Sequence, residues 1–383
     1  MKNIISILTL VMLFACIKPF NPAIESTVEN KYVVSGKITD TEGWQEVNIS
    51  LSSPIEIPIY TPIAGCQVTI KDDIGNSFQL EEYNSGSYRI WLGEEYLIPG
   101  TAYMVRVQTP SGEIIESTYD TMQEGPHLDS VYYEIEDLPT SNPDEFLRGI
   151  QYYVDLHAES VECRNYKWEI DHTYETHAAN AKEYYYDGGW HQIDPPDSST
   201  YVCWTTSLVK NVYTLSTEDL SQNTHIKYPL HFVDVHQPNL AILYSILVKQ
   251  LAISKEAFDY WEEVRANSHE LGGLYEKQPY AIKGNLVNLT HTEKDVLGYF
   301  FAASESSRRY FYKDIEGLEL DFTDYCNEMG LGRFGWKEYT WRDYPVYYYF
   351  PLIDGFRLLR ILNNECVDCR LLSGTINKPE FWP

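Results

Sequence analysis

Cys366 and Cys369 form a CxxC near the end of the chain, a spacing that serves thiol redox chemistry, zinc ligation or disulfide clamping. A redox motif needs a strand-to-helix setting that the flanking residues do not suggest. A zinc site needs a second pair of Cys or His ligands. A disulfide clamp on the C-terminal segment is therefore the expected use. Gly330, Gly332 and Gly335 reproduce the GxGxxG of dinucleotide-binding turns, but that pattern signifies only between a buried strand and a helix. Here Cys326-Asn327-Glu328-Met329 precedes it and an aromatic run follows, so we read coincidence. His231, Asp234 and His236 suggest metal ligation. On a strand, however, Asp234 and His236 share a face while His231 points away, and no third ligand is evident. His172 and His177 are spaced off any single helix face, and His191 is isolated. The sequence contains neither HExxH nor a nucleophile elbow. Carboxylates that could pair for glycoside hydrolysis abound, and nothing selects one pair. The sequence thus assigns no catalytic residue, no metal ligand and no cofactor.

Binding chemistry is better represented. Tyrosine alone numbers 32, with runs at Tyr184-Tyr185-Tyr186 and Tyr347-Tyr348-Tyr349-Phe350. In a β-rich chain most aromatic rings are core or cross-strand partners. Rings on loops instead stack on glycan or peptide, or anchor a protein partner. The polar, Tyr-, Gly- and Pro-rich stretch 174–199 reads as a long exposed excursion. Tyr184, Tyr185, Tyr186 and Trp190 are accordingly the preferred contact loop.

The elements that must position these residues begin with an export signal. Lys2 precedes an apolar run over 4–15 that is too short to span a bilayer. The run ends in Leu13-Phe14-Ala15-Cys16, which predicts a lipoprotein signal peptide at 1–15 and lipidation of Cys16. Phe14 is bulkier than is usual at its place. Residues 16–30 contain Pro19 and Pro22 and no periodicity, so they read as a lipid-anchored tether. No later apolar stretch is long enough to cross a membrane, so the mature chain is expected to be anchored and not threaded. Of the seven cysteines, six remain after Cys16, an even number that an exported chain can oxidise.

The 383 residues exceed one ordinary core and predict two domains. Apolar residues at 44% argue against extended disorder. A net charge of −27 argues against nucleic acid and against adsorption of the protein surface to anionic lipid. Half of that excess lies in 120–197, where 18 acidic residues face 4 basic ones. Such a bias ordinarily marks a solvated surface; docking of a cation or a basic partner is the sharper alternative.

From residue 31 onward apolar residues alternate with polar ones: Val47, Ile49 and Leu51, then Val68 and Ile70, Phe78 and Leu80. Tyr88, Ile90 and Leu92 follow, and Tyr103, Val105 and Val107. Turn residues such as Asn84-Ser85-Gly86 and Pro99-Gly100 separate the runs. The fold class expected is mainly β. An Ig-like or carboxypeptidase-regulatory-like sandwich occupies 31–122, and a larger β-rich (α+β) domain occupies 123–383. Strands are expected over 131–135, 150–156, 166–170, 228–235, 242–251 and 296–302. One helix is expected near 254–268, capped by Ser254, stapled by Ile253 on Phe258, with Gly272-Gly273 just past its end.

Several stretches together resemble the Bacteroidota lipoprotein family known as domain of unknown function 4249. They are Cys16 with Pro19 to Pro22, Val33-Val34-Ser35-Gly36-Lys37-Ile38-Thr39-Asp40, and Asp72-Asp73-Ile74-Gly75-Asn76. The middle of the chain adds Ile253-Ser254-Lys255-Glu256-Ala257-Phe258-Asp259-Tyr260-Trp261, Gly272-Gly273-Leu274-Tyr275, Lys283-Gly284-Asn285-Leu286 and Leu297-Gly298-Tyr299-Phe300. Cys366-Val367-Asp368-Cys369-Arg370, Gly374 and Lys378-Pro379-Glu380-Phe381-Trp382 close the set. The resemblance implies an outer-membrane lipoprotein, often encoded beside a TonB-dependent transporter, with no established catalytic residues to carry over. The function it implies is that of a non-catalytic accessory or interaction subunit of such a transporter, or of another outer-membrane assembly, capturing or gating its ligand. A free-standing glycan- or peptide-binding lipoprotein and an envelope hydrolase are the alternatives. Ile17-Lys18-Pro19-Phe20 lacks the acidic cluster that often directs such lipoproteins to the outer face, which leaves periplasmic and surface faces both open. The resemblance also marks Cys366 and Cys369 as residues that matter. Both are expected to be oxidised, either to each other or to Cys203 and Cys326.

Overall fold

Period-two burial is written into the first sheet. Val47, Ile49, Val68, Ile70, Tyr88, Leu92, Tyr103, Val105 and Val107 are all buried in one core, while most of the residues between them, Met104 excepted, are more exposed. A computed structural model describes residues 30–54, 58–142, 144–269, 281–321, 326–353 and 355–383. The expected signal peptide, Cys16 and Gly272-Gly273 lie outside them. The chain is mainly β, with one prominent helix. Tyr32–Thr39, Gly43–Leu51 and Ser87–Leu92 pair antiparallel in sequence. Opposite them run Gln67–Asp72, Ala102–Gln108 and Ile114–Ser117.

This sandwich does not close at residue 122. Lys283–Asn288 pairs with Ile114–Ser117, and the start of Phe300–Tyr312 runs parallel to Tyr32–Thr39. Leu286, Val296, Phe300 and Ala302 sit in the same core as Val34 and Ile38. The expected 31–122 unit is thus completed by strands that begin only at Lys283 and Phe300. Local alternation cannot report such pairing. The expected strand over 296–302 is broken at Gly298, whose φ of 93° only glycine adopts without strain. A Cβ there would lie 2.1 Å from the Val34 carbonyl oxygen, and one on Gly284 only 1.6 Å from the Gly298 oxygen. Both glycines belong to the stretches that carried the resemblance, and crossing backbones explain both.

Phe300–Tyr312, thirteen residues long, runs on into a second layer. Its later half pairs with Tyr244–Ala252, which pairs with Asn165–His177. The inner face of that central sheet presents Tyr166, Trp168, Ile170, Tyr244, Ile246 and Val248. These pack on the three-stranded sheet of Val131–Pro139, Phe146–His157 and Thr224–Asp234. The outer face carries Lys167, Glu169, Asp171, Lys249 and Glu305 in a ladder of opposite charges. The helix Lys255–His269 covers one end of it. The Ser254 hydroxyl accepts the Ala257 N–H at 3.1 Å, as a cap must. Ala257, Phe258, Tyr260 and Trp261 pack on Leu251, Tyr299 and Phe301.

Candidate functional site

The stretch 174–199 is not an excursion. Asn165–His177 continues through its first residues. Lys182–Tyr186 and Trp190–Asp197 then form a hairpin that turns at Asp187-Gly188-Gly189. The hairpin joins Val346–Tyr349, Arg360–Leu362 and Glu328–Met329 in a five-stranded sheet. The expected contact loop of Tyr184, Tyr185, Tyr186 and Trp190 is therefore corrected to two paired strands. Tyr184 lies opposite Tyr348, and Tyr185 opposite Tyr347. Each tyrosine run supplies what the other lacks, because aromatic side chains are good cross-strand partners. That both runs are tyrosine-rich was the available signal; nothing in either run says they meet.

Alternation gives the sheet two unlike faces. On the inner one, Tyr347 and Tyr349 pack on Leu362, Cys366 and Val367. On the outer one, Tyr184 stacks on Tyr348 with ring centroids 5.4 Å apart. Trp336, from the short 3-10 turn Gly335–Glu338, lies 4.5 Å from both Tyr186 and Trp190 and 5.2 Å from Tyr348. Tyr344 meets Tyr186 edge-on at 5.6 Å. Only Val346, Tyr348 and Ile361 are buried in this cluster; the other rings remain half-exposed and Trp190 is exposed. Half-covered aromatic rings that pack on one another leave apolar area open to water without needing further ordering.

Two disulfides hold the inner face. Cys203 is bonded to Cys369, and Cys326 to Cys366. Of the two expectations for Cys366 and Cys369, bonding to each other is overturned and bonding to Cys203 and Cys326 is found. Gly374 lies against the first bridge, where a Cβ would stand 2.5 Å from that of Cys203. Further along, Arg309 stacks over Phe381 at 3.5 Å, and the Trp382 Nε1–H donates to Glu175 at 2.9 Å.

The other candidates are dispersed. Met329 and Glu328 are exposed on a two-residue edge strand before Gly330, and four residues of 3-10 turn follow, so the GxGxxG has neither buried strand nor helix. His236 bonds Asp234 at 2.7 Å, His177 bonds Glu175 at 2.7 Å, and His191 bonds Asp187 at 2.8 Å. Among the described residues no cluster of three or more His, Cys, Asp or Glu is arranged to hold a metal ion.

His231 points inward and meets His172 edge-on at 5.4 Å. Burial, with the His172 ring second, pushes the His231 pKa down from 6.5 to about 4. Between those values the unfolded chain takes a proton that the folded chain refuses. The contribution is complete above the unfolded pKa and is lost as pH falls toward about 4, at most about 3 kcal/mol. Asp120, buried and accepting the Ala302 N–H at 2.8 Å, acts oppositely. Burial raises its pKa to about 6, so its ionisation weakens the fold as pH rises through that value. The readout is therefore a difference. Urea midpoints of His231→Leu and the parent, taken near neutrality and near pH ~4.5, should show the variant gaining on the parent upon acidification. A constant gap would mean that His231 does not titrate in this way.

Comparison with known families adds one finding. Residues 17–309 match the model of a family described as a domain of unknown function (DUF4249). No curated protein matches the chain. The matched span contains both sandwich layers and the 182–197 hairpin and ends before the rest of the aromatic sheet.

Proposed function

The chain belongs to the DUF4249 family, and from that membership we propose that it is a lipid-anchored, non-catalytic interaction subunit of an outer-membrane protein assembly. The anchor in this reading is Cys16, and the partner is an integral β-barrel of the TonB-dependent transporter kind that the resemblance implies. The observation that carries the reading is the outer aromatic face of the five-stranded sheet. Trp190, Trp336, Tyr186 and Tyr348 brace one another there while Trp190 remains exposed. Rigid aromatic anchors that lose little entropy on binding are what protein interfaces concentrate.

Because 184–190 is sheet and not loop, deleting it would unravel the structure. A point substitution is the better probe. Trp190→Ala should weaken partner binding about 30-fold, the size of an interface hot spot, and lower the thermal midpoint only by the loss of its ring contacts, without unfolding the sheet. Binding titrations of parent and variant against the co-purified partner read this directly. Equal affinities would remove this face from the interface.

Ligand capture is the second reading, and a cleft favours it. A cavity of about 280 Å³ lined by Glu175, His177, Tyr201, Pro238 and Glu365 opens where the central sheet meets the disulfide-clamped segment. Carboxylates beside a tyrosine ring suit a hydroxyl-rich ligand. Glycan and peptide binding to the soluble chain without any partner would promote this reading over the first.

A further inference from the structure

Within the aromatic sheet the charge of the chain reverses only after the 182–197 hairpin, which itself carries Glu183, Asp187, Asp194 and Asp197 against Lys182. Residues 331–360 hold five cations, Arg333, Lys337, Arg342, Arg357 and Arg360, against three acids, in a protein whose net charge is −27. Two of those acids are turned to the backbone. Glu338 accepts the Phe334 N–H at 3.0 Å, and Asp343 accepts the N–H and hydroxyl of Thr340 at 2.7 and 2.9 Å. Among the described residues none of the five cations forms an ion pair, although most basic groups elsewhere do. Arg333, Lys337, Arg342 and Arg357 are exposed.

Between these cations stand large apolar side chains in water. Phe334 is 71% exposed, Trp341 76%, Leu352 72% and Phe356 72%. Phe334 and Trp341 flank the 3-10 turn that carries Trp336, while Leu352 and Phe356 sit on the tiny hairpin of Leu352–Ile353 and Phe356–Arg357 that follows Val346–Tyr349. Arg342 leans on the Trp341 ring at 5.3 Å. A protein partner would meet such separate tips with one shaped surface. A fluid interface accepts them independently, rings at the level of the headgroups and guanidinium groups beside the phosphates.

We propose that this rim docks on an anionic lipid surface, with Phe334, Trp341, Leu352 and Phe356 entering the interface and the exposed Arg333, Lys337, Arg342 and Arg357 facing lipid phosphates. The whole-chain charge, which argues against such adsorption, is an average: half of the acid excess lies in 120–197, whereas 331–360 holds five cations against three acids. The contact would hold the aromatic face near the bilayer, independently of any protein partner.

The test is vesicle flotation with the full chain carrying Cys16→Ser, so that no acyl anchor contributes. It should float with vesicles of phosphatidylglycerol and phosphatidylethanolamine, stay behind with phosphatidylcholine alone, and be released by high salt. Removing Arg333, Arg342 and Arg357 together as glutamines should weaken binding about 100-fold, near fivefold per charge. Trp341→Ala with Phe356→Ala should cost at least about tenfold. All five positions are exposed, and the variants should melt with the parent. In the unsubstituted rim, brominated lipid should quench tryptophan emission. Absence of flotation, absence of quenching, or flotation indifferent to these substitutions would overturn the proposal. None of these results bears on whether a β-barrel co-purifies.

Discussion

Replacing Cys203 and Cys369 together by alanine is expected to cost about 4–5 kcal/mol of stability, the largest effect of any change of two side chains considered for this chain. The bridge joins residues 166 apart in sequence. Cross-linking so long a loop removes much of the freedom of the unfolded chain, and the loop-entropy relation puts the gain at the upper end of the usual range. The folded state loses contacts as well, because Cys203 and Cys369 are both fully buried beside Ala178. Cys326–Cys366 spans only 40 residues and remains to tether the end, so the variant should fold with a lowered midpoint and not fail outright. Guanidinium unfolding of parent and variant measures this. A loss under about 1 kcal/mol would mean that the unfolded chain is already compact around this crossing. Alkylation of the unreduced, denatured parent should label Cys66 and Cys163, the two described cysteines that carry no bridge.

Glu169→Gln should be nearly as costly, at about 3–5 kcal/mol, because it strands a buried ammonium. Lys167 is buried under the helix, with its Nζ 2.6 Å from Glu169 and 4.3 Å from the Trp261 ring centroid. Burial lowers the Lys167 pKa, and the Glu169 carboxylate opposes that. Burial would raise the Glu169 pKa, yet Lys167 and Lys37 hold it well below the usual carboxylate range. Lys37 comes from the first sandwich and Glu169 from the central sheet, 2.5 Å apart. The substitution therefore loosens the seam between the two layers as well as the pair itself. Adding Lys167→Met should recover most of the loss, since an apolar isostere leaves no orphan charge. If the double variant were as unstable as the single one, packing at the seam would be the cause and not the stranded charge.

What was legible in the sequence follows from the range of the forces involved. Strand alternation and helix capping are local, so Val47 to Val107 and the Ser254 cap were readable. Closure of the first sandwich by residues 283–302 was not, because it joins strands whose patterns say only that each is half-buried. The aromatic residues were expected on a contact loop and lie instead in paired strands. Pro195, Pro196, Gly188 and Gly189 imitate loop composition, whereas pairing of Tyr184 with Tyr348 across 164 positions of sequence is a tertiary event. The same separation hid the choice between disulfide partners. Charge was legible as a total and misleading as one, since its sign reverses over 331–360.

The proposed function is tested most directly by a mild-detergent pull-down of the tagged, lipidated chain from its own membranes, with the associated proteins identified by mass spectrometry. An integral β-barrel recovered in stoichiometric amount, and lost from the Trp190→Ala sample, is the predicted result. The chain recovered alone from membranes in which it is abundant would contradict an interaction subunit and leave ligand capture as the function to pursue.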